Sequence, residues 1–403
     1  MDLITTTTSL MEGWNRSKRR FFIRLIGALL TFVGRATMQN LSRYPEITVR
    51  QMGRWSRKPF DFLDINDRLL EQGQVKHKWS LGIIDATFLA KSGKKTSGLG
   101  SFYNGCANRN ERGLEATVVA VTSPTEGPAY TLLARQTPPK SDNGETSSID
   151  FAARMLEEIA PTLKQHTNYL LADGAYSKRK FMSKVEELEL FLVSKLRYDA
   201  ALHYPYTGPR HPRGGRPRKY DKKVDYQDLS GMDKVSIDGV EDTTFTGVVY
   251  HNASKSKVRV VIINPKGNDS KGRGRVILFS TDTELDAETI VAWYSRRFQI
   301  EFAFRDAKQH TGLGQAQVRD AQGLHFFINA SLTALNACRL QLAHDGLGKA
   351  ACASIATEKR RRYNECLLRR VFDLYAIDPQ QAENDDAYRK VLDFGAYTTR
   401  KVS

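Results

Sequence analysis

Three acids stand out by their surroundings. Asp85 lies inside the apolar run 81–89, where a carboxylate is costly unless a metal or a charged partner compensates it. Asp173 closes the short apolar run 169–172 and is followed by glycine; open α/β sheets bind ligands at the carboxyl ends of such strands. Glu301 falls in a helical pattern between Phe298, Phe302 and Phe304. Carboxylates gathered from two strands and a helix suit Mg²⁺, a hard cation that prefers oxygen ligands. Two such ions about 4 Å apart can activate a water and stabilise the leaving oxygen in phosphodiester cleavage. Singly, each acid reads equally well as an ion-paired or capping carboxylate. Their joint placement sets them apart.

Tyr294, Arg297, Glu301 and Lys308 follow one another at intervals of three, four and seven. At about 100° per residue they fall in one stripe roughly 60° wide. A carboxylate flanked by a guanidinium, a phenol and an ammonium suits a metal-assisted phosphate site, with the flanking groups gripping non-bridging oxygens. The plainer alternative is a solvated face with an Arg297–Glu301 pair at i,i+4. Trp293 and the phenylalanines around Glu301 read as core.

The elements that must position these groups follow from periodicity. Residues 81–89, 115–121 and 129–134 are β-rich, with a Gly/Ser/Asn-rich turn at 92–110 between the first two. Residues 150–164 are helical in period, 169–172 are a buried strand, Ser177 caps a helix to 188, and 190–193 are another strand. This order predicts an α/β domain on a mixed sheet. The pattern then breaks. Residues 205–223 are rich in Pro, Gly and Arg, and 243–250 with 257–263 read as a hairpin around an Asn/Ser turn. A further strand at 274–280 precedes a long helix at 285–310 and an apolar one at 326–342.

Upstream, residues 21–33 form an apolar helix ended by Gly34, and two short helices around Pro45 resemble a helix-turn-helix. Thr48 would cap the second, presenting Arg50, Gln51 and Arg54. The chain carries 61 Lys and Arg against 45 Asp and Glu, a net charge of +16. That excess points to a polyanionic partner, most simply nucleic acid. The longest apolar run is too short to span a bilayer and is interrupted by Arg24. Four scattered cysteines without a C-x-x-C pair argue against a disulfide framework or zinc site. A reducing cytoplasm is the expectation.

Taken together, Tyr294-x2-Arg297-x3-Glu301-x6-Lys308, Asp85 in GIIDATFL and Asp173 in LLADGAYSKRKF resemble the DDE transposases of bacterial insertion sequences with the Tyr-Arg-Glu-Lys signature, the IS-four-like superfamily. The resemblance covers roughly residues 35–345. It implies an RNase H-like core interrupted by a β-rich insertion, with a helical N-terminal DNA-binding domain and a helical C-terminal tail. The corresponding segments are 1–75, 76–195, 196–283, 284–345 and 346–403. It implies that Asp85, Asp173 and Glu301 hold two Mg²⁺ ions, for which Mn²⁺ would substitute. Tyr294, Arg297 and Lys308 would contact phosphates of the transposon end. The reaction implied is hydrolysis at the terminal inverted repeats, then joining of the freed 3′-hydroxyl to target double-stranded DNA by a homodimer. Some relatives stabilise a flipped base with an insertion-domain tryptophan; here Trp14, Trp55, Trp79 and Trp293 all lie outside 196–283. Arg213, Arg216, Arg218 and Lys219 resemble a minor-groove hook, but read first as a general phosphate-binding loop. The alternative reading is a catalytically silent DNA-binding protein or repressor derived from such an enzyme.

Overall fold

The basic N-terminal stretch folds as five helices because its apolar residues recur at helical spacing and its polar ones cap. The computed structural model describes residues 3–44, 47–73, 80–140, 147–209, 218–265, 274–344, 354–378 and 386–396. Helix α1 is Leu3–Leu10, α2 Arg16–Thr31, α3 Met38–Leu41, α4 Val49–Trp55 and α5 Phe62–Gln72. Asn15 caps α2 by accepting from the Lys18 amide at 2.9 Å. Thr48 and Gln51 form a reciprocal capping box on α4. Phe21, Phe22, Leu25, Ile26 and Leu29 bury one face of α2.

A sheet of twelve strands follows. Strands β1 (Leu81–Ala90), β2 (Gly100–Asn104), β3 (Arg109–Thr122) and β4 (Tyr130–Thr137) are antiparallel neighbours around β3. Helix α6 (Ser148–His166) crosses to β5 (Tyr169–Ala172), and α7 (Arg179–Glu187) to β6 (Phe191–Leu196). Both β5 and β6 run parallel to β1. The order β4-β3-β1-β5-β6, in sequence ranks 3-2-1-4-5 once β2 is set aside, is compatible with an RNase H-like core.

The β-rich segment after β6 continues the same sheet. Strands β7 (Leu202–Pro205), β8 (Tyr220–Lys223), β9 (Asp233–Ile237), β10 (Val240–His251), β11 (Ser256–Asn264) and β12 (Val276–Ser280) extend the same sheet, and β12 pairs antiparallel with β6. The expected β10–β11 hairpin is present, and Lys255 in its turn is left-handed with φ 62°. Ser177 does not cap α7. Its hydroxyl instead donates to the Lys195 carbonyl at 2.9 Å, and the cap position is Lys178. A strand at 100–104, inside the expected turn, pairs with β3.

Helix α8 (Ala287–Arg296), α9 (Phe298–Asp306) and a π-helical turn (Ala307–Thr311) make up the expected long helix, broken at Arg297 and tightened off by Gly312 at φ 79°. Helix α10 (Ala321–His344) is almost wholly buried and joins the N-terminal helices to the sheet. Phe326 sits 4.9 Å from Phe60, 5.6 Å from Phe62 and 6.1 Å from Phe21, ring centroid to ring centroid. On the other side, Asn329 binds the backbone N–H and C=O of Ala134, and Asn336 those of Thr131. Asn66 of α5 donates to the Leu132 carbonyl at 2.9 Å. The amide side chains thus satisfy the free edge of β4, which would otherwise bury bare donors and acceptors. Helix α11 (Ile355–Tyr375) packs on α2; Lys359 donates to the His310 carbonyl and lies 3.6 Å from the Phe32 ring centroid. Among the described residues, no helix is long and apolar enough to cross a membrane. Cys106, Cys338 and Cys366 are free thiols.

Candidate active site

Strand register brings the first two acids together. The parallel β1–β5 pairing matches Gly82 with Leu170, Ile83 with Leu171 and Ile84 with Ala172. Asp85 and Asp173 are therefore the next residues on adjacent strands, leaving the paired segment side by side. The apolar residues before each acid fix this register, because a one-residue slip would turn the buried side chains to the wrong face. Asp173 then starts a single 3-10 turn, its Oδ1 accepting from the Gly174 amide at 2.7 Å. An added Cβ at 174 would stand 3.0 Å from the Lys195 carbonyl oxygen, a tight contact that would require a shift of a few tenths of an ångström.

Glu301 reaches this place through Arg297. The Arg297 side chain is 8% exposed; its Nη1 donates to Asp85 Oδ2 at 3.2 Å and its Nη2 pairs with Glu301 Oε1 at 2.9 Å. Its guanidinium also lies 4.5 Å from the Phe298 ring centroid and 5.9 Å from that of Tyr294. The expected i,i+4 pair of Arg297 and Glu301 is thus present, with its guanidinium buried and its carboxylate half exposed. Arg297 bridges the helix to the strand, and its Nε is buried without a hydrogen-bond partner.

The electrostatics place the three acids in one neighbourhood. Burial pushes the Asp85 carboxyl up to about 6, against the Ala86 amide and Arg297, which hold it down; Asp173 and Glu301 raise it further by repulsion. Tyr176, buried beneath the acids, has its hydroxyl pushed far up by burial, with Asp85, Glu115 and Asp173 adding to it. The Tyr294 hydroxyl is raised chiefly by burial, with Arg297 opposing and Asp173 and Asp85 reinforcing. Lys308 stands on the π-helical turn, half-buried, and burial lowers its ammonium below the ordinary lysine range.

Among the described residues, no three His, Cys, Asp or Glu side chains are gathered closely enough to hold a metal ion. Glu301 is 47% exposed and engaged with Arg297. The donor chemistry nonetheless fits a hard cation: three carboxylates, with no thiolate or imidazole among them. The raised Asp85 carboxyl is a group short of positive charge, which such a cation would supply.

Two side chains beside the acids depart from expectation. Phe298 and Phe302 are 46% and 42% exposed rather than core, because the face of α9 that carries them turns away from the sheet; Phe304 and Ile300 are the buried ones. Arg305 lies over the Phe302 ring at 5.0 Å. Trp293 is half-buried, edge-on to Tyr169 at 4.8 Å. Tyr176 escaped the sequence reading; an aromatic three residues after the strand-end acid is the only signal it leaves.

The other sequence-derived candidates lie elsewhere. Arg50 and Arg54 are exposed on α4, which packs on α2 and α3. Arg218 pairs with Asp221 at 2.7 Å and lies over Tyr206, beside exposed Lys219. Arg213 and Arg216 lie outside the described residues. Tyr220 stacks on Tyr250 with centroids 5.0 Å apart, so these two rings already face each other.

A family model described as a transposase DDE domain matches residues 76–337. No curated protein matches the chain. The matched segment takes in well over half of the sequence, from the start of the sheet to the middle of α10, and includes all three acids. The chain belongs to the family of transposases with a DDE domain.

Proposed function

We propose that this protein is an insertion-sequence transposase that cleaves DNA at the terminal inverted repeats of its element and joins the freed ends to target DNA. The observation that carries this reading is the parallel β1–β5 register, which sets Asp85 beside Asp173, together with the Arg297 bridge that ties Glu301 to Asp85. Asp85, Asp173 and Glu301 are the residues that would hold Mg²⁺, two ions in all, with Mn²⁺ as substitute. When bound, such ions activate the attacking oxygen and stabilise the leaving one.

The chain's own residues do the rest. In the first step a water oxygen bonds to phosphorus, and the 3′ oxygen leaves with a proton as a hydroxyl. In the second, that hydroxyl attacks a target phosphodiester and displaces a target 3′ oxygen. Arg297 fixes the orientation of Asp85 and Glu301 and offsets their repulsion. Tyr294 and Lys308, on the same stretch of helix, offer a phenol and an ammonium to phosphate oxygens of the end. Half-burial of Lys308 makes an anionic phosphate a favourable partner, since it returns the counter-charge that burial withholds. Arg218 and Lys219, with Arg213 and Arg216, add phosphate contacts from the basic segment. The N-terminal helices bind the repeats, and a homodimer acting in the cytoplasm would bridge two ends.

The test uses DNA carrying the native flanks of the gene. Purified wild type and Glu301→Gln are incubated with it in Mg²⁺ or EDTA, and breaks are mapped at nucleotide resolution. Discrete Mg²⁺-dependent cuts at inverted repeats, absent in the variant, are expected. Binding without any cut by folded wild type would favour the catalytically silent DNA-binding reading.

A further inference from the structure

The stretch that carries Glu301 ends in a π-helical turn, and Lys308 is the second residue of that turn. Such turns are rare and recur at functional sites. The last carbonyls of a helix lose their amide partners, and here Gly312, at φ 79°, turns the chain away. Side chains from three directions take the place of those amides. The Lys308 carbonyl accepts from Gln315 Nε2 at 3.2 Å. The His310 carbonyl accepts from Lys359 of α11, and the Thr311 carbonyl from the Ser331 hydroxyl of α10. Asp306, just before the turn, pairs with buried Arg339 of α10 at 2.7 Å.

Gln315 makes a second bond. Its Oε1 accepts from the backbone N–H of Ala36, in the connection between α2 and α3, at 2.7 Å. One amide group thus satisfies a donor on the N-terminal helical unit and an acceptor on Lys308, and only one orientation of it can do both. Gly312 packs against the same residue: a Cβ there would stand 2.1 Å from that of Ala36. Thr37, the next residue, caps α3. The Lys308 ammonium, in contrast, has no hydrogen bond or ion pair among the described residues. Its side chain is half-buried. With nothing gripping its end, the ammonium goes where the backbone carries it.

We propose that Gln315 is a positioning residue for Lys308: it ties the lysine's backbone to the Ala36 amide, so that the N-terminal helices, seated on the turn, set where the ammonium meets a phosphate of the DNA end. The proposal rests on the reading of Lys308 given above and adds the residue that places it. Gln315 acts through Lys308 and has no contact of its own with the phosphate.

The experiment measures joining of a pre-cut end duplex to a target plasmid in Mg²⁺, as initial rate against end concentration, with the full chain. Wild type is compared with Gln315→Met, which keeps the length and removes the polar group, with Lys308→Gln, and with the double variant. Positioning predicts a maximal rate for Gln315→Met lowered roughly ten- to hundredfold. The half-saturating concentration of the end should stay close to wild type, because its other contacts remain. Lys308→Gln should be at least as slow, and the double variant no slower than Lys308→Gln, because the first change acts only through the lysine. Gln315→Met leaves two backbone groups unpaired, so circular dichroism first confirms that each variant is folded at the assay temperature. Gln315→Glu is the second variant. It keeps the acceptor for Ala36 but sets a carboxylate oxygen against the Lys308 carbonyl, so it should hold the fold and lose rate as Gln315→Met does. A wild-type maximal rate in folded Gln315→Met, or in Gln315→Glu should Gln315→Met not fold, overturns the proposal and leaves the transposase reading intact. Equal fold-losses from Gln315→Met with and without Lys308→Gln overturn it too, since a merely structural residue would add to the effect of the lysine. Wild type that joins no end defeats the DNA-processing reading, and the proposal with it.

Discussion

In the absence of metal, Asp85 should destabilise the fold it serves. Its Oδ1 accepts from the Ala86 amide at 2.8 Å and its Oδ2 from Arg297 at 3.2 Å. Burial outweighs both and moves the carboxyl from 3.8 to about 6. At 1.36 kcal/mol per unit, that difference amounts to about 3 kcal/mol. The sign follows from linkage. The folded value lies above the unfolded one, so the unfolded chain gives up the proton first. Stability falls as pH rises from 3.8 through 6, and the full cost is present above 6. Asp85→Asn keeps the shape and the acceptor for Ala86, and it removes the buried charge. In EDTA at pH 7.5 the variant should gain up to about 3 kcal/mol, less whatever Arg297 loses with its partner, and about half as much at pH 5. Urea unfolding followed by circular dichroism reads this as a higher midpoint at unchanged slope. Adding Mg²⁺ should stabilise wild type and leave the variant where it was. A variant less stable than wild type at pH 7.5 in EDTA would refute the reasoning, because Arg297 would then outweigh burial. A gain that does not shrink with pH would refute it equally.

Three further outcomes are expected. Asn336→Leu leaves the Thr131 N–H and C=O buried and unpaired, at roughly 1–3 kcal/mol each, and should lower the unfolding midpoint accordingly; a neutral result would deny the amide a role at the β4 edge. Gly312→Ala combines φ 79° with a Cβ that would stand 2.1 Å from that of Ala36, so a loss of about 2–4 kcal/mol is expected, and a melt within a degree of wild type would contradict the packing of the π turn on residue 36. His251, bonded to the Ser254 hydroxyl at 2.9 Å, is lowered by burial from 6.5 to about 4. It stays neutral in the fold while the unfolded chain takes up a proton, so stability drops by about 3 kcal/mol as pH falls from 6.5 to 4. The pH–stability curve of His251→Asn should be flatter by that amount; parallel curves would rule the assignment out.

What the sequence discloses is uneven, for physical reasons. Asp85 and Asp173 are legible because apolar strands surround them, and an acid in such a run is conspicuous. The Arg297–Glu301 pair is legible from its spacing, yet its burial is not, since the strand that receives Arg297 is more than two hundred residues away in sequence. The exposure of Phe298 and Phe302 is hidden for a related reason: aromatic residues on a helix predict core until the packing face is known. Strands 202–205, 220–223 and 233–237 are short and polar, so they lack the alternation that marks a strand. That the later strands extend the first sheet follows from the β6–β12 pairing, which no local pattern encodes. Asn329 and Asn336 look like ordinary helix residues until the bare edge of β4 is seen beside them.

The central claim is that Asp85, Asp173 and Glu301 form one catalytic centre. It is tested most directly at the joining step. A pre-cut end duplex with a free 3′-hydroxyl is incubated with a target plasmid and Mg²⁺, and covalent joined product is quantified. Wild type and Glu284→Gln, an exposed acid outside the centre, should join the end. Asp85→Asn, Asp173→Asn and Glu301→Gln, each folded and each binding the end, should give no product. Joining at the wild-type rate by any one of the three variants would contradict the account.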